Sequence, residues 1–263
     1  MNYSSFNLCN LPPWVIASHH FNDNPQPIEL QGVKEGTRVL FEKLAGLADH
    51  HERGRVFNDF MSVKFHLHHW HEQETAAART SIRNSYLRFL RGWMIDSNSV
   101  AGAVLKHWVE SRFGIRPTFH KSRIDDISSP AYFDYSRDVL TGSAQTSAIQ
   151  TQLDLLYGYS QFELALRHPD QPCLTLYRGT HDAEEYDILD RAGKREMIVR
   201  LNNLVSFTSE EERAWEFGRT VWQTTIPLAK IFFFSGLLPG SILHGEEEFL
   251  VIGGEFRVKR LLY

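Results

Sequence analysis

The apolar residues of this chain change their spacing near two prolines, Pro169 and Pro172. Ahead of these prolines, apolar side chains recur every three or four residues, which is typical of amphipathic helices. The helices predicted in this way cover 35–50, 55–73, 78–95 and 145–166. Proline cannot continue a helix, so the last of them should end before Pro169. Helices therefore dominate the first part of the chain.

A further helix is predicted over 100–113, because its two ends carry typical capping residues. The Ser99 hydroxyl can cap the first turn, and Gly114 is a plausible stop after the last turn. Residues 1–33, rich in proline and asparagine, and residues 115–143, interrupted by two prolines and a glycine, are interpreted as irregular.

Beyond Pro172 the side chains alternate as they do along strands. The predicted strands are 173–179, 204–209, 220–226, 230–234, 248–252 and 255–262. Two helices are predicted among them, over 183–200 and over 210–217, with Ser209 as the cap of the second. The predicted fold class is α+β, with a mainly helical region 1–170 and an α+β region 171–263 that could also share one core.

Composition restricts the classes of protein to which the chain can belong. It has 263 residues, of which 42% are hydrophobic, and a net charge of −4. This charge gives no general attraction to nucleic acid or to anionic membranes. Two cysteines without CxxC spacing indicate a reducing compartment, and the first ten residues lack the pattern of a signal peptide. We expect a cytoplasmic protein without a membrane span, since its apolar runs are too short.

Three adjacent carboxylates, Glu246, Glu247 and Glu248, lead directly into the apolar segment that starts at Phe249. On a strand, Glu246 and Glu248 would point to one face and Glu247 to the other. Two like charges on one face cost free energy unless a cation lies opposite them. That cation could be a protein arginine, a substrate guanidinium, or positive charge that develops on a sugar. The alternative interpretation is a solvated acidic face.

Two further motifs precede the glutamates. Arg178 ends a predicted strand and is followed by Gly179, and a guanidinium in this position can hold phosphate oxygens. The hydroxyls of Ser206, Thr208 and Ser209 lie at the end of another predicted strand, where they can orient a ligand or a carboxylate. Taken singly, the arginine could equally form a surface ion pair, and the hydroxyls could cap a helix.

In this order and spacing the three motifs resemble the Arg-Ser-Glu class of mono-ADP-ribosyltransferases. The whole chain is similar to the NAD-dinitrogenase-reductase ADP-ribosyltransferases of nitrogen-fixing bacteria, in its length, its helical first half and three segments. These segments are 176–180, 203–209 and 245–251. Where the wider class has Ser-Thr-Ser, this chain has Phe207-Thr208-Ser209, so either Ser206 supplies the first hydroxyl or Thr208 and Ser209 suffice.

The resemblance implies a core of packed antiparallel strands, NAD as the substrate and no metal. It implies transfer of ADP-ribose to one arginine of the nitrogenase iron protein, which switches nitrogenase off, and activation by a PII-type nitrogen-signalling protein. Alternative functions are an NAD glycohydrolase, a transferase with another protein target, and a non-catalytic binding protein.

The resemblance also implies roles for individual residues. Glu248 would stabilise the sugar cation, Glu246 would hold the acceptor arginine, and Arg178 would bind the NAD phosphates or support the nicotinamide ribose. Thr208 and Ser209 would hold Glu248 and the bound cofactor, and either Tyr177 or Phe207 could stack on nicotinamide or simply pack. The predicted cofactor-binding set is Tyr177, Arg178, Gly179, Ser206, Phe207, Thr208, Ser209 and Glu248.

Histidines cluster in the first 120 residues, among them His66, His68, His69 and His71. A metal site there would require ligands on one helix face, and no cysteine or HExxH pattern supports one. We expect these histidines to lie on a helix surface or to contact a partner protein.

Overall fold

The computed structural model describes residues 3–67, 85–144, 146, 148–181, 186–239 and 247–261. Within these ranges, most of the helices precede Pro169 and the large sheet follows it. No helix in the described ranges is long and apolar enough to cross a membrane.

The helical part begins with short helices and continues with longer ones. Helices α1 to α5 are Pro13–Ile16, His19–Asp23, Val33–Gly36, Arg38–Ala45 and His50–Lys64. Helices α6 to α9 are Tyr86–Ile95, Val100–Phe113, Pro130–Ser143 and Ile149–Arg167, and a hairpin of β1, Phe119–His120, and β2, Ser122–Arg123, lies between α7 and α8. The parts of the predicted helices that fall on 68–84 lie outside the described residues.

The caps predicted for α7 are confirmed. The Ser99 hydroxyl accepts a hydrogen bond from the Gly102 amide, and Gly114 adopts the left-handed conformation with φ 70°. The prediction that 115–143 is irregular is wrong, because α8 occupies its second half. This helix starts with Pro130 at its first turn and is capped by the Ser129 hydroxyl. A proline at that position starts a helix rather than breaking it.

The second part forms one six-stranded sheet in which all described pairs are antiparallel, as predicted. Its strands are β3 Cys173–Thr180, β4 Asp187–Arg191, β5 Glu196–Thr208, β6 Thr220–Pro227, β7 Ile231–Phe234 and β8 Glu248–Leu261, with helix α10 Glu211–Glu216 after β5. The helix predicted over 183–200 is wrong. Its apolar residues belong mainly to β4 and β5, and β5 pairs with β4 on one side and with β8 on the other.

The order of the sheet is β4-β5-β3-β6-β8-β7, and β5 also pairs with β8. Because β3 and β6 lie between these partners, the sheet curls back on itself. Strands β3 and β5 meet only where Tyr177 pairs with Thr208. Elsewhere they are not paired, which leaves an opening between them on the side of α6.

A bulge in β5 ties the sheet to the helices. The register between β5 and β8 shifts at Asn202 and Asn203, opposite Gly253. A Cβ atom on Gly253 would lie 1.6 Å from the carbonyl oxygen of Asn202, so only glycine fits there. The buried Asn203 amide donates to the carbonyls of Lys106, at 2.8 Å, and Ile115, at 2.9 Å. The bulge therefore holds the middle of α7 and the loop after this helix against the sheet.

One hydrophobic core includes residues from both the helices and the sheet. The Trp108 ring of α7 lies 4.5 Å from the Phe232 ring of β7, measured between centroids. Within the helical part, Phe57 and Tyr159 stack with centroids 4.1 Å apart. Helices and sheet thus bury their apolar surfaces against each other.

The core also contains a buried lysine, Lys230, which follows β6 and has no exposed surface. Its ammonium donates to Oδ1 of Asn22 at 2.9 Å and lies 4.5 Å from the centroid of the Phe256 ring. Burial lowers the pKa of Lys230 to about 7. The unfolded chain would keep this lysine protonated up to a pH of about 10.

This difference predicts that stability rises with pH. Above pH 7 the unfolded state binds one more proton at Lys230 than the folded state, so the free energy of unfolding increases by about 1.4 kcal/mol per pH unit. In urea denaturation between pH 7 and 9, the wild type should gain stability relative to Lys230→Met. The exposed Lys34 is the matched control, since Lys34→Met should keep the wild-type slope. Parallel curves for wild type and Lys230→Met would contradict the prediction.

Candidate active site

A cleft of about 440 Å³ opens where β3 and β5 separate. The last turn of α6 and residues 95–97 form one wall, and the ends of β3, β5 and β8 form the other. Hydrogen bonds connect four of the residues that line it: Trp93, Arg178, Ser206 and Glu248. Three of these four belong to the motifs identified in the sequence.

Glu248 is the first residue of β8 and is buried, with 7% of its surface exposed. Its amide donates to the Ser235 hydroxyl at 3.0 Å, and its carbonyl accepts from the Ser235 amide at 2.9 Å. The cross-strand partner of Glu248 is Thr208. These backbone contacts fix the point from which the carboxylate enters the cleft.

Ser206 connects the predicted arginine with the predicted glutamate. Its hydroxyl donates to Oε1 of Glu248 at 2.5 Å. Its backbone carbonyl accepts from Nη1 of Arg178 at 2.7 Å. The hydroxyl also accepts from Nε1 of Trp93 at 2.9 Å. The structure therefore brings together one residue from each of the three motifs.

Arg178 is half-buried and lies on the wall between two compartments of the cleft. Its Nη2 donates to the Tyr186 hydroxyl at 3.2 Å, and its buried Nε has no hydrogen-bond partner among the described residues. The second compartment has a volume of about 740 Å³. The loop after α7 covers it, held by Asn202, whose amide donates to the Phe119 carbonyl at 2.8 Å.

The described hydrogen bonds of the Thr208 and Ser209 side chains go to partners other than Glu248. Thr208 Oγ1 accepts from the Glu210 amide at 3.2 Å, and Ser209 Oγ donates to Glu247 Oε2 at 2.7 Å. The hydroxyl beside Glu248 is that of Ser206, which is the first of the two alternatives that the sequence left open. The prediction that Ser209 caps the following helix is also wrong, because α10 has Glu210 at its N-cap and no side-chain cap.

Strand β8 starts at Glu248, so Glu247 lies outside the strand. Glu247 is exposed and has φ 44°, a left-handed conformation, so the alternation that was used to pair Glu246 with Glu248 ends at Glu248. The Glu247 carboxylate accepts the hydrogen bond from Ser209, and neither residue lines the cleft. Glu246 lies outside the described residues.

The remaining predicted cofactor residues also line the cleft, but two of them have evident packing roles. Phe207 is buried and contacts Phe256 with ring centroids 6.0 Å apart. A Cβ atom on Gly179 would lie 2.1 Å from the Ala214 carbonyl, so the glycine permits α10 to pack against β3. Tyr177 is half-buried, and its hydroxyl accepts a long hydrogen bond of 3.5 Å from Gln223.

The part of the chain that the structure describes contains no group of three or more histidine, cysteine, aspartate or glutamate side chains that could hold a metal ion. His66 lies in the described part, just after the end of α5, whereas His68, His69 and His71 lie outside the described residues.

Sequence reasoning missed three residues of the site: Trp93, Tyr186 and Ser235. The sequence pattern identifies Trp93 only as an apolar residue of a helix, and no sequence motif indicates that its N–H forms a hydrogen bond in the site. Tyr186 fell within the wrongly predicted helix 183–200. Ser235 follows an apolar strand without any distinguishing pattern.

Comparison with known proteins adds to this geometry. The family described as "Dinitrogenase reductase ADP-ribosyltransferase (DRAT)" matches residues 6–260. A curated protein of Rhodospirillum rubrum, named NAD(+)--dinitrogen-reductase ADP-D-ribosyltransferase, is 41% identical over 259 residues, which cover 97% of this chain and 94% of that protein. No solved structure matches the chain. The predicted resemblance is confirmed: this chain belongs to the dinitrogenase reductase ADP-ribosyltransferase family.

Proposed function

We propose that this protein transfers ADP-ribose from NAD to an arginine of dinitrogenase reductase, the nitrogenase iron protein, and thereby inactivates it. Family membership supports the reaction and the protein substrate. The observation that carries the proposal is the connected set of Arg178, Ser206 and Glu248 in one cleft. The alternative interpretation of the glutamates, a solvated acidic face, does not account for Glu248, which is buried and accepts a hydrogen bond from Ser206.

The chemistry starts at the bond between nicotinamide N1 and ribose C1′. As this bond breaks, nicotinamide leaves with the electron pair and positive charge develops on the sugar. A carboxylate that is already held in place stabilises such charge without reorganising during the reaction. Glu248 has the burial and the hydrogen bond from Ser206 that this role requires.

Arg178 is suited to bind the pyrophosphate of NAD. Its guanidinium lies between the two compartments, so a dinucleotide could place its nicotinamide half beside Glu248 and its adenosine half on the other side. Guanidinium groups match phosphate oxygens in geometry and charge.

The acceptor arginine needs a partner of its own. A guanidinium has a pKa above about 12, so it is charged and a poor nucleophile at neutral pH. We assign Glu246 to hold it, as the family resemblance implies. One guanidinium nitrogen then forms the new bond to C1′, and its proton passes to the carboxylate.

Regulation and partner binding extend the same proposal. We assign activation to a PII-type nitrogen-signalling protein and partner contacts to the mainly helical region 1–170, with NAD binding and catalysis in region 171–263. We also assign the reaction to the cytoplasm. A pull-down of the purified protein with a PII-type protein, with and without NAD, tests the first of these assignments.

The direct test of the function is incubation with labelled NAD and purified dinitrogenase reductase. Label should appear on the reductase, and mass spectrometry should find ADP-ribose on one arginine. Release of nicotinamide at the same rate with and without the reductase, and no labelled reductase, would favour an NAD glycohydrolase. Absence of NAD binding in calorimetry would favour a non-catalytic protein.

Glu246→Gln separates transfer from hydrolysis. The variant keeps Glu248, so it should still cleave NAD slowly with water, but transfer to arginine should fall at least about tenfold because the acceptor is no longer oriented. Parallel assays of nicotinamide release and of labelled reductase measure the two activities. Equal loss of both would contradict the assignment of Glu246 to the acceptor.

A further inference from the structure

We propose that Trp93 is a positioning residue for this reaction, and that its indole N–H directs the Ser206 hydroxyl proton onto Glu248. This inference rests on the proposed function, because it concerns the carboxylate assigned to the sugar cation. Trp93 lies in the last turn of α6, so the helical part of the chain would supply a residue to the catalytic centre.

The direction of the hydrogen bonds follows from the donors that are present. An indole Nε1 can only donate, so the Ser206 oxygen, 2.9 Å away, must accept from Trp93. A serine hydroxyl carries a single proton, and an ionised carboxylate can only accept. The 2.5 Å contact between Ser206 and Glu248 must therefore use the serine proton. The indole thus leaves the hydroxyl one useful orientation.

The rest of Ser206 is held independently of its hydroxyl. The Ser206 carbonyl accepts a hydrogen bond from Arg178, and Ser206 on β5 is the cross-strand partner of Leu250 on β8. The backbone of Ser206 therefore stays in place, and the two hydrogen bonds of its hydroxyl set the rotation of the side chain and of the O–H. A hydroxyl that rotates freely would divide its time among acceptors and would hold the carboxylate less well.

The position of Trp93 is set by close packing of two helices. A Cβ atom on the neighbouring Gly92 would lie 2.4 Å from Cβ of Ala101, so α6 and α7 approach closely at this point. Trp93 is 4% exposed, and the Lys106 ammonium lies 5.9 Å from the centroid of its ring. The ring is thus confined, and its N–H has a fixed direction toward β5.

A purely structural role for Trp93 is the competing explanation, and phenylalanine distinguishes the two. Trp93→Phe keeps an aromatic ring but removes the N–H. We expect kcat for ADP-ribose transfer to fall about tenfold, the rate equivalent of one net hydrogen bond, with KM for NAD nearly unchanged. Trp222→Phe is the matched control, because Trp222 is fully buried and its N–H has no hydrogen-bond partner among the described residues. It should keep the wild-type kcat.

A double-variant cycle tests whether Trp93 acts through the Ser206 hydroxyl. If Trp93 acts through Ser206, the double variant Trp93→Phe/Ser206→Ala should be no slower than Ser206→Ala alone. A further tenfold loss in the double variant would show that Trp93 acts through packing, and would overturn the proposal.

A spectroscopic measurement tests the same contact without activity. In protein labelled with ¹⁵N-tryptophan, Ser206→Ala should move the indole proton resonance of Trp93 upfield, because the acceptor is lost, and should leave that of Trp222 in place. An unmoved Trp93 resonance would refute the proposed contact. If the wild type fails to modify dinitrogenase reductase but this resonance moves, the proposed function is wrong and the hydrogen bond from Trp93 to Ser206 stands.

Discussion

Glu248→Gln should lower the rate of ADP-ribose transfer by about a hundredfold to a thousandfold. The substitution preserves the shape of the side chain and removes its charge. A neutral amide can still accept from Ser206, but it cannot stabilise the positive charge on the ribose as a carboxylate does. The loss should appear in kcat, measured from initial rates of label transfer, while NAD binding measured by calorimetry should change little.

The neighbouring Glu247 is the matched control for this substitution. It carries the same group, is exposed, and contacts only Ser209 among the described side-chain hydrogen bonds. Glu247→Gln can keep that contact, so the rate of transfer should stay close to that of the wild type. Full activity of Glu248→Gln, or an equal loss in Glu247→Gln, would show that the charge at Glu248 is not the catalytic one.

The second large effect concerns stability and arises at a buried ion pair of the helical part. Glu163 of α9 has a fully buried side chain that accepts from Arg53 Nε at 2.5 Å and from Arg167 Nε at 3.1 Å. Burial alone would raise the pKa of Glu163, but the hydrogen bonds and charges of these two arginines hold the pKa below its ordinary value. Arg53 also donates to the carbonyls of Leu47 and Ala48 and so ties the loop before α5 to α9.

Glu163→Gln should lower the free energy of unfolding by about 3–5 kcal/mol, because Arg53 then remains buried without a counter-charge. Chemical denaturation followed by circular dichroism measures this change. The control is the exposed pair of Arg38 and Glu42, whose side chains are 79% and 66% exposed. Glu42→Gln should cost less than about 1 kcal/mol. Similar losses in the two variants would contradict the argument.

Replacing both buried partners offers a further check. Arg53→Met/Glu163→Leu removes the buried charges together, and such replacements by apolar residues are often tolerated. The double variant should therefore be more stable than Glu163→Gln.

Much of the helical part could be predicted because local sequence determines where helices begin and end. Ser99 and Gly114 satisfy the free backbone groups at the ends of α7 in the manner expected from their side chains. The two wrong predictions of secondary structure also have local causes. Pro130 was interpreted as a breaker although it starts α8, and the apolar run in 183–200 was assigned to a helix although it forms β4 and β5. A strand buried on both faces loses the alternation that identifies it.

For the candidate site, the identity of the residues could be predicted but their contacts could not. Arg178, Ser206 and Glu248 could be selected from sequence, because their order along the chain carries the family pattern. Their contacts could not, because each joins residues far apart in sequence. Whether Ser206, Thr208 or Ser209 reaches Glu248 depends on the register of β5 against β8, in which Thr208 faces Glu248 across the ladder.

The sequence by itself determined the family, the α+β class and the acidic and basic residues of the chemistry, since these depend on residue identity and local periodicity. Only the tertiary structure shows that the helices before Pro169 and the strands after Pro172 contribute residues to the same site. Trp93 precedes the two prolines and Ser206 follows them, yet they share a hydrogen bond of 2.9 Å. Helix packing and strand register together bring them into contact, and neither can be read from one segment of the chain.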